Sequence, residues 1–211
     1  MLEVRVARPD EFGAVLAFYT MMIDEMQGTD FDVQWQHGVH PSPSFLRESL
    51  EAGQVIVGLL PAEEAAEKIA GADHDAKAIE TVEAVEATEA TSERKEPESV
   101  IVCAMVVNHE GAPGYHAVPW AVDAPPEQVG VLHVVATLPA FHGQGLGRQL
   151  VNGAADIARI RGLATLRLDS FPHNVRGRGL YESCGFSDRG EWPVHYPALG
   201  DIQVAMYELE L

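Results

Sequence analysis

Positive charge is what this sequence has least of. Fourteen Lys and Arg face 32 Asp and Glu, a formal net charge of -18. A surface that acidic repels phosphate backbones and anionic lipid, which argues against nucleic-acid binding and polybasic membrane docking. Cysteine is nearly absent. Cys103 and Cys184 alone cannot build a disulfide framework, and their apolar neighbours point to reduced thiols. Long apolar runs are missing as well, since the longest, residues 100–107, is far short of a membrane span. Residues 1–5 alternate in charge and lack the apolar stretch of a secretory signal. A cytoplasmic protein is the expectation.

What is present has a globular balance, 46% hydrophobic and 22% charged over 211 residues. That length suits one domain carrying an insertion. Leu2, Val4 and Val6 alternate with charged residues, as in a strand. Pro9, Asp10 and Glu11 open a helix whose apolar stripe is Phe12, Val15, Leu16, Tyr19 and Ile23. Ser42 and Pro43 read as the cap and first position of a second helix, ended by Gly53, and residues 54–60 as a strand. Composition then changes abruptly. Residues 61–99 hold ten Glu, two Asp and four Lys and Arg, with few large apolar side chains. This predicts an acidic, Ala/Glu-rich, partly flexible insertion with some helix near residues 63–69, set in a β–β connection. Strands follow at 100–107 and 129–137, separated by a loop at 110–127 that contains Tyr115 and Trp120. A helix is predicted over 145–161 and closed by Gly162, a strand over 165–169, a helix over 174–184 closed by Gly185, and a last strand over 202–211. The order predicts one α/β domain, residues 1–211, with a mixed sheet and helices on both faces.

Chemistry concentrates in residues 131–186. A strand ends at Thr137, and Gly143, Gln144, Gly145, Leu146 and Gly147 lead into a helix. Glycines let a ligand approach the backbone, and the free N–H groups of a first helical turn receive phosphate. Arg148 adds a fixed positive charge. A Walker A loop is excluded because no Gly-Lys-Ser/Thr follows. A dinucleotide fingerprint fits poorly: Asp169 lies near the right distance for a ribose-binding acid, but the spacing is G-x-G-x-G.

The block from His142 to Gly147 resembles the acetyl-CoA motif of the GCN5-related N-acetyltransferase (GNAT) superfamily, with His142 where that motif has Gln or Arg. Asn174, Gly177, Leu180, Tyr181, Gly185 and Phe186 match its later hallmark. Residues 35–41 and 118–120 are similar to segments of a bacterial branch of the superfamily. The resemblance covers the chain outside about residues 61–99. It implies a mixed, mostly antiparallel sheet of about six to seven strands, with strands four and five splayed. It also implies direct acetyl transfer from acetyl-CoA to a primary amine of a small molecule or peptide. In that family Val135, Ala136 and Thr137 would bind the pantetheine arm, a backbone N–H of that strand would polarise the thioester, residues Gly143, Gln144, Gly145, Leu146, Gly147 and Arg148 would hold the diphosphate, and Asn174 would bond the arm. Tyr181 occupies the position of a general acid toward the leaving thiolate, with core packing as the alternative. Asp169 stands where some relatives carry a catalytic acid residue. A salt bridge to Arg167 or Arg176, or a helix cap, is the alternative.

Trp35, His37 and Trp120 are candidates for the acceptor pocket, as loop residues on a rigid scaffold. His37 and His40 form H-x-x-H, but no third ligand completes a metal set, so no metal is expected. Cys184 reads as core and His133 as a packed strand residue. The leading expectation is an acetyl-CoA-dependent N-acetyltransferase. Protein N-terminal acetylation and a non-catalytic acyl-CoA-binding module are its rivals, and a homodimer is left open.

Overall fold

The computed structural model describes residues 2–29, 31–71, 98–196 and 200–211. Seven strands build one sheet: β1 (Glu3–Val6), β2 (Val55–Pro61), β3 (Ser99–Asn108), β4 (Val129–Thr137), β5 (Thr165–Ser170), β6 (Ser187–Tyr196) and β7 (Gly200–Glu210). Their order is β1-β2-β3-β4-β5-β7-β6, and every pairing is antiparallel except β4 with β5. Five helices flank it: α1 (Phe12–Met26), α2 (Pro43–Glu51), α3 (Ala62–Gly71), α4 (Leu146–Ile160) and α5 (Val175–Ser183).

The caps explain where the helices start. Ser42 Oγ accepts from Phe45 N at 3.1 Å, with Pro43 in the first turn of α2. Asn174 Oδ1 accepts from Gly177 N at 3.0 Å at the start of α5. α1 buries Val15, Phe18, Tyr19, Met22, Ile23 and Met26, and α4 buries Leu146, Leu150, Val151, Ala154, Ala155 and Ala158. Both sets follow the spacing of one helix face, which puts Val15, Phe18, Tyr19 and Met22 of α1 and all six residues of α4 in the main core with the apolar strands β2 and β3. The helix expected near residues 63–69 is α3; the rest of the acidic stretch, 72–97, lies outside the described residues.

β6 is an element that periodicity does not predict. Only Val194 is buried in it, a register shift interrupts it between Asp188 and Glu191, and it contains Gly190 and Pro193. It is an edge strand paired only with β7, and an edge tolerates a proline that a central strand would not. With β7 it covers a second, smaller core of Tyr115, Val118, Val129, Val131, Val194, Val204 and Met206. Above this core lies the loop 109–128. Buried Glu208 of β7 pins that loop by accepting from Ala121 N at 2.7 Å and from Val122 N at 3.4 Å. Its charge is balanced by Arg167 at 3.1 Å and Arg189 at 3.0 Å.

Candidate active site

The central feature is a parting of strands. β4 pairs with β5 only from Val129↔Thr165 to Val131↔Arg167. Beyond that point β4 stays with β3 as far as Thr137, while β5 stays with β7 as far as Ser170. The cause is local. Pairing of β3 with β4 jumps from Ala104↔Ala136 to Val106↔His133, so Val134 and Val135 stand opposite the single residue Met105. That is a β-bulge, and it bends the strand away from its neighbour. Val134 has φ 46°, a left-handed conformation that costs a β-branched residue energy. The buried Tyr19 hydroxyl holds it by donating to Val134 O at 3.0 Å. Val135, Ala136 and Thr137 thus lie on the stretch of β4 that has left β5, with backbone groups on that side open to an added ligand strand.

The glycine turn sits at the open end of this wedge. Gly143 (φ 75°) and Gly145 (φ 76°) are left-handed, and a Cβ on either would meet no atom within 4 Å. Gly145 caps α4 without any side-chain hydrogen bond, which leaves the first-turn N–H groups of Leu146, Gly147 and Arg148 for a ligand. At Gly147 a Cβ would stand 3.3 Å from Thr137 Oγ1 and 3.4 Å from Leu180 Cδ2, so its lack of a side chain lets β4, α4 and α5 meet. His142 Nε2 hydrogen-bonds Thr137 O at 2.8 Å, and its ring stands edge-on to Phe31, 4.9 Å away. Two cations border the turn. Arg148 Nε donates to Ser183 Oγ at 3.2 Å, and Lys68 of α3 donates to Gln144 Oε1 at 3.0 Å.

The open glycine cradle suits a diphosphate. At the end of β5, the buried Ser170 Oγ has no hydrogen-bond partner among the described residues. Asn174 spends Oδ1 on its helix cap, which leaves its amide N–H groups as donors. Tyr181, on α5, is buried between Phe186 at 5.9 Å and Tyr207 at 6.1 Å. No hydrogen bond reaches its hydroxyl among the described residues. Burial, reinforced by the charge of Asp169 and by Cys184, raises its pKa, so it stays a protonated phenol at neutral pH. Tyr207 beside it is spent: its hydroxyl accepts from Arg178 Nε and donates to Glu182 Oε1, both at 2.9 Å.

Asp169 departs from both structural alternatives read from the sequence. Among the described residues no ion pair joins it to an arginine and it caps no helix. Tyr115 Oη donates to Oδ1 and Tyr196 Oη to Oδ2, each at 2.6 Å. Arg167 turns instead to Glu208 and to Val122 O, and its guanidinium lies 4.4 Å over the Trp120 ring. Two imidazoles share the electrostatic neighbourhood of Asp169. Burial is the main cause that lowers the pKa of His40 and of His133, against a smaller pull upward from Asp169, so both are neutral at pH 7. His133 Nε2 hydrogen-bonds Asn108 Oδ1 at 2.9 Å.

The structure therefore sets residues 135–137 on the parted stretch of β4 ahead of the glycine turn, Asp169 on the parted end of β5 where its charge acts on Tyr181, and Asn174 at the start of α5. The other three candidates stand differently. Trp35 is half-buried beside Tyr19 at 5.9 Å and His40 at 6.1 Å. Trp120 anchors its loop, donating to Tyr115 O at 2.7 Å. His37 is exposed and bonded to Asp24 at 2.7 Å. Sequence reasoning missed Tyr196 and Ser170, and it gave Tyr115 no partner. Tyr115 and Tyr196 stand 54 and 27 positions from Asp169, and no local pattern links residues so far apart.

Among the described residues no cluster of three His, Cys, Asp or Glu could hold a metal, and no helix is long and apolar enough to cross a membrane. Comparison with known proteins agrees with the wedge. Residues 23–186 match the model of the Acetyltransferase (GNAT) family. A mycothiol acetyltransferase of Beutenbergia cavernae is 34% identical over 82 residues, 39% of this chain and 27% of that protein. The chain thus aligns with only about a quarter of that relative's length. Among solved structures, a GNAT-family acetyltransferase of Streptococcus agalactiae superposes with TM-score 0.64 at 16% identity, over 100% of this chain and 95% of that one. The yncA protein of Salmonella typhimurium, solved with acetyl-CoA, superposes with TM-score 0.56 at 15% identity, over 100% and 94%. These likenesses show the fold, and the family match over more than half the chain shows that this protein belongs to the GNAT acetyltransferase family.

Proposed function

We propose that this protein is an acetyl-CoA-dependent N-acetyltransferase that transfers the acetyl group directly to a primary amine. The observation that supports the reading most is the parting of β4 from β5 beyond Val131 ahead of a glycine turn with no side-chain cap, together with a buried Tyr181 whose hydroxyl has no hydrogen-bond partner among the described residues. The nitrogen lone pair of the amine attacks the thioester carbonyl, the C–S bond breaks, and the Tyr181 hydroxyl gives its proton to the departing thiolate sulfur and is reprotonated by the proton that the acylated nitrogen sheds. Backbone N–H groups on the parted stretch of β4, residues 135–137, bind the thioester arm and stabilise the developing oxyanion. The first-turn amides of α4 and Arg148 hold the diphosphate, and Asn174 donates to the arm. The amine must reach the carbonyl as a free base, and its surplus proton leaves toward Asp169 and the neutral imidazoles of His133 and His40. The reading treats residues 1–211 as one catalytic domain interrupted by the acidic stretch 61–99, working in the cytoplasm.

The test is thiol release from acetyl-CoA by the full chain across a panel of polyamines, aminoglycosides, amino acids and peptides. Release above the hydrolysis background with at least one amine supports the reading. Tight acetyl-CoA binding with no release on any of them would turn it toward a binding module.

A further inference from the structure

The transfer chemistry above gives Asp169 a proton to receive, but it leaves unexplained why the hydroxyls of Tyr115 and Tyr196 hold both of its oxygens. Three elements meet there: the loop 109–128, the end of β5 and the end of β6. Both carboxylate oxygens are already hydrogen-bonded, at 2.6 Å, by hydroxyls that carry no formal charge. Such a carboxylate is oriented but not neutralised. The charged and titratable groups around it do not neutralise it either. His40 and His133 are neutral through burial. Arg167, two residues earlier on the same strand, is held by Glu208 and by Val122 O. Tyr181, which feels the charge of Asp169, stays protonated. Asp169 itself is only partly buried, so a ligand can reach it.

Building on the transferase reading, we infer that Asp169, aimed by Tyr115 and Tyr196, recognises the cationic nitrogen of the acceptor and selects amines that carry no carboxylate beside it. An ammonium brings the opposite charge to a negative pocket, where few waters screen the attraction. An α-amino acid brings its own carboxylate to within one carbon of that nitrogen. The cation on Asp169's own strand, Arg167, is already held by Glu208 and Val122 O, so the carboxylate meets Asp169 as a like charge. Simple alkylamines and peptide N-termini, whose carboxyl is an amide, escape the repulsion. Tyr115 and Tyr196 act through Asp169 and are positioning residues.

The experiment pairs each amine with its parent acid: isobutylamine with valine, and phenethylamine with phenylalanine. kcat/KM for thiol release is measured with the full chain and with Asp169→Asn, Tyr115→Phe and Tyr196→Phe, and acetyl-CoA affinity is measured by calorimetry for each. We expect the wild type to prefer the amine of each pair by at least tenfold. Asp169→Asn should shrink that preference to within threefold. Each phenylalanine variant should raise the acceptor KM severalfold while acetyl-CoA affinity stays within twofold, a split that general unfolding would not produce. A wild-type ratio near one, or a ratio unchanged in Asp169→Asn, overturns the inference. So does thiol release with neither amine while acetyl-CoA is bound. Absence of acetyl-CoA binding by the wild type is a different failure, because it removes the transferase reading beneath.

Discussion

Two carboxylates occupy neighbouring rungs on one face of the sheet, and they are treated in opposite ways. Glu208 of β7 lies opposite Arg167, and Asp169 of β5 lies opposite Met206, two residues along. Glu208 is 1% exposed and is surrounded by two guanidinium groups, two backbone N–H groups and the Thr165 hydroxyl. Asp169 is partly exposed and has two phenols. The first arrangement cancels charge and closes a structure, because a buried ion left without its partner is costly. The second orients charge without cancelling it, which is what a recognition site for a cation needs. The same strand pair therefore fastens the loop 109–128 at one end and offers a negative group to the acceptor at the other.

The sharpest way to break this contrast is to remove Glu208. Glu208→Ala strands two arginines in or near the second core, and we expect a loss of about 3–5 kcal/mol in denaturant unfolding. Asp169→Asn keeps a group that its phenols can still bond, and it should lose less than half as much. Equal losses would mean that both carboxylates are structural. The next largest effect separates the acceptor side from the leaving-group side. Tyr181→Phe should slow single-turnover thiol release by about 100-fold, the low end for a lost proton donor, with acetyl-CoA affinity within twofold. An unchanged rate would remove Tyr181 from the chemistry. The smallest effect marks the edge of the site. His37 and Asp24 form an exposed pair, and such pairs contribute about 0–1 kcal/mol. His37→Ala should leave kcat/KM within twofold and unfolding within that margin, whereas a tenfold loss would bring His37 into the acceptor pocket.

The elements that carry the proposed cofactor side were legible from sequence because their signals are local. Gly145 and Gly162 bracket α4 within one element, and Asn174 and Cys184, read as the ends of a helix closed by Gly185, are the cap residues of α5. β4 spans the residues its apolar run predicts. The acceptor side was legible only in fragments. Asp169 could be singled out, but its tyrosines arrive from a loop and from an edge strand whose Gly190 and Pro193 hide the alternation. The bulge was equally hidden: residues 131–136 read as a uniform strand, and only the pairing with β3 reveals that Val134 turns left-handed. Trp120 is a candidate for the acceptor pocket by its place in a loop, yet its ring lies under Arg167 and its Nε1 donates to Tyr115 O.

The central claim is that the glycine turn at residues 143–148 grips the diphosphate of acetyl-CoA. Calorimetric titration of the full chain and of Gly145→Val with acetyl-CoA tests it most directly. A valine at φ 76° costs about 1–2 kcal/mol in local conformation and narrows the cradle. The account predicts saturable one-to-one binding by the wild type, at least tenfold weaker in the variant. No heat from the wild type, or equal affinity in both, would contradict it.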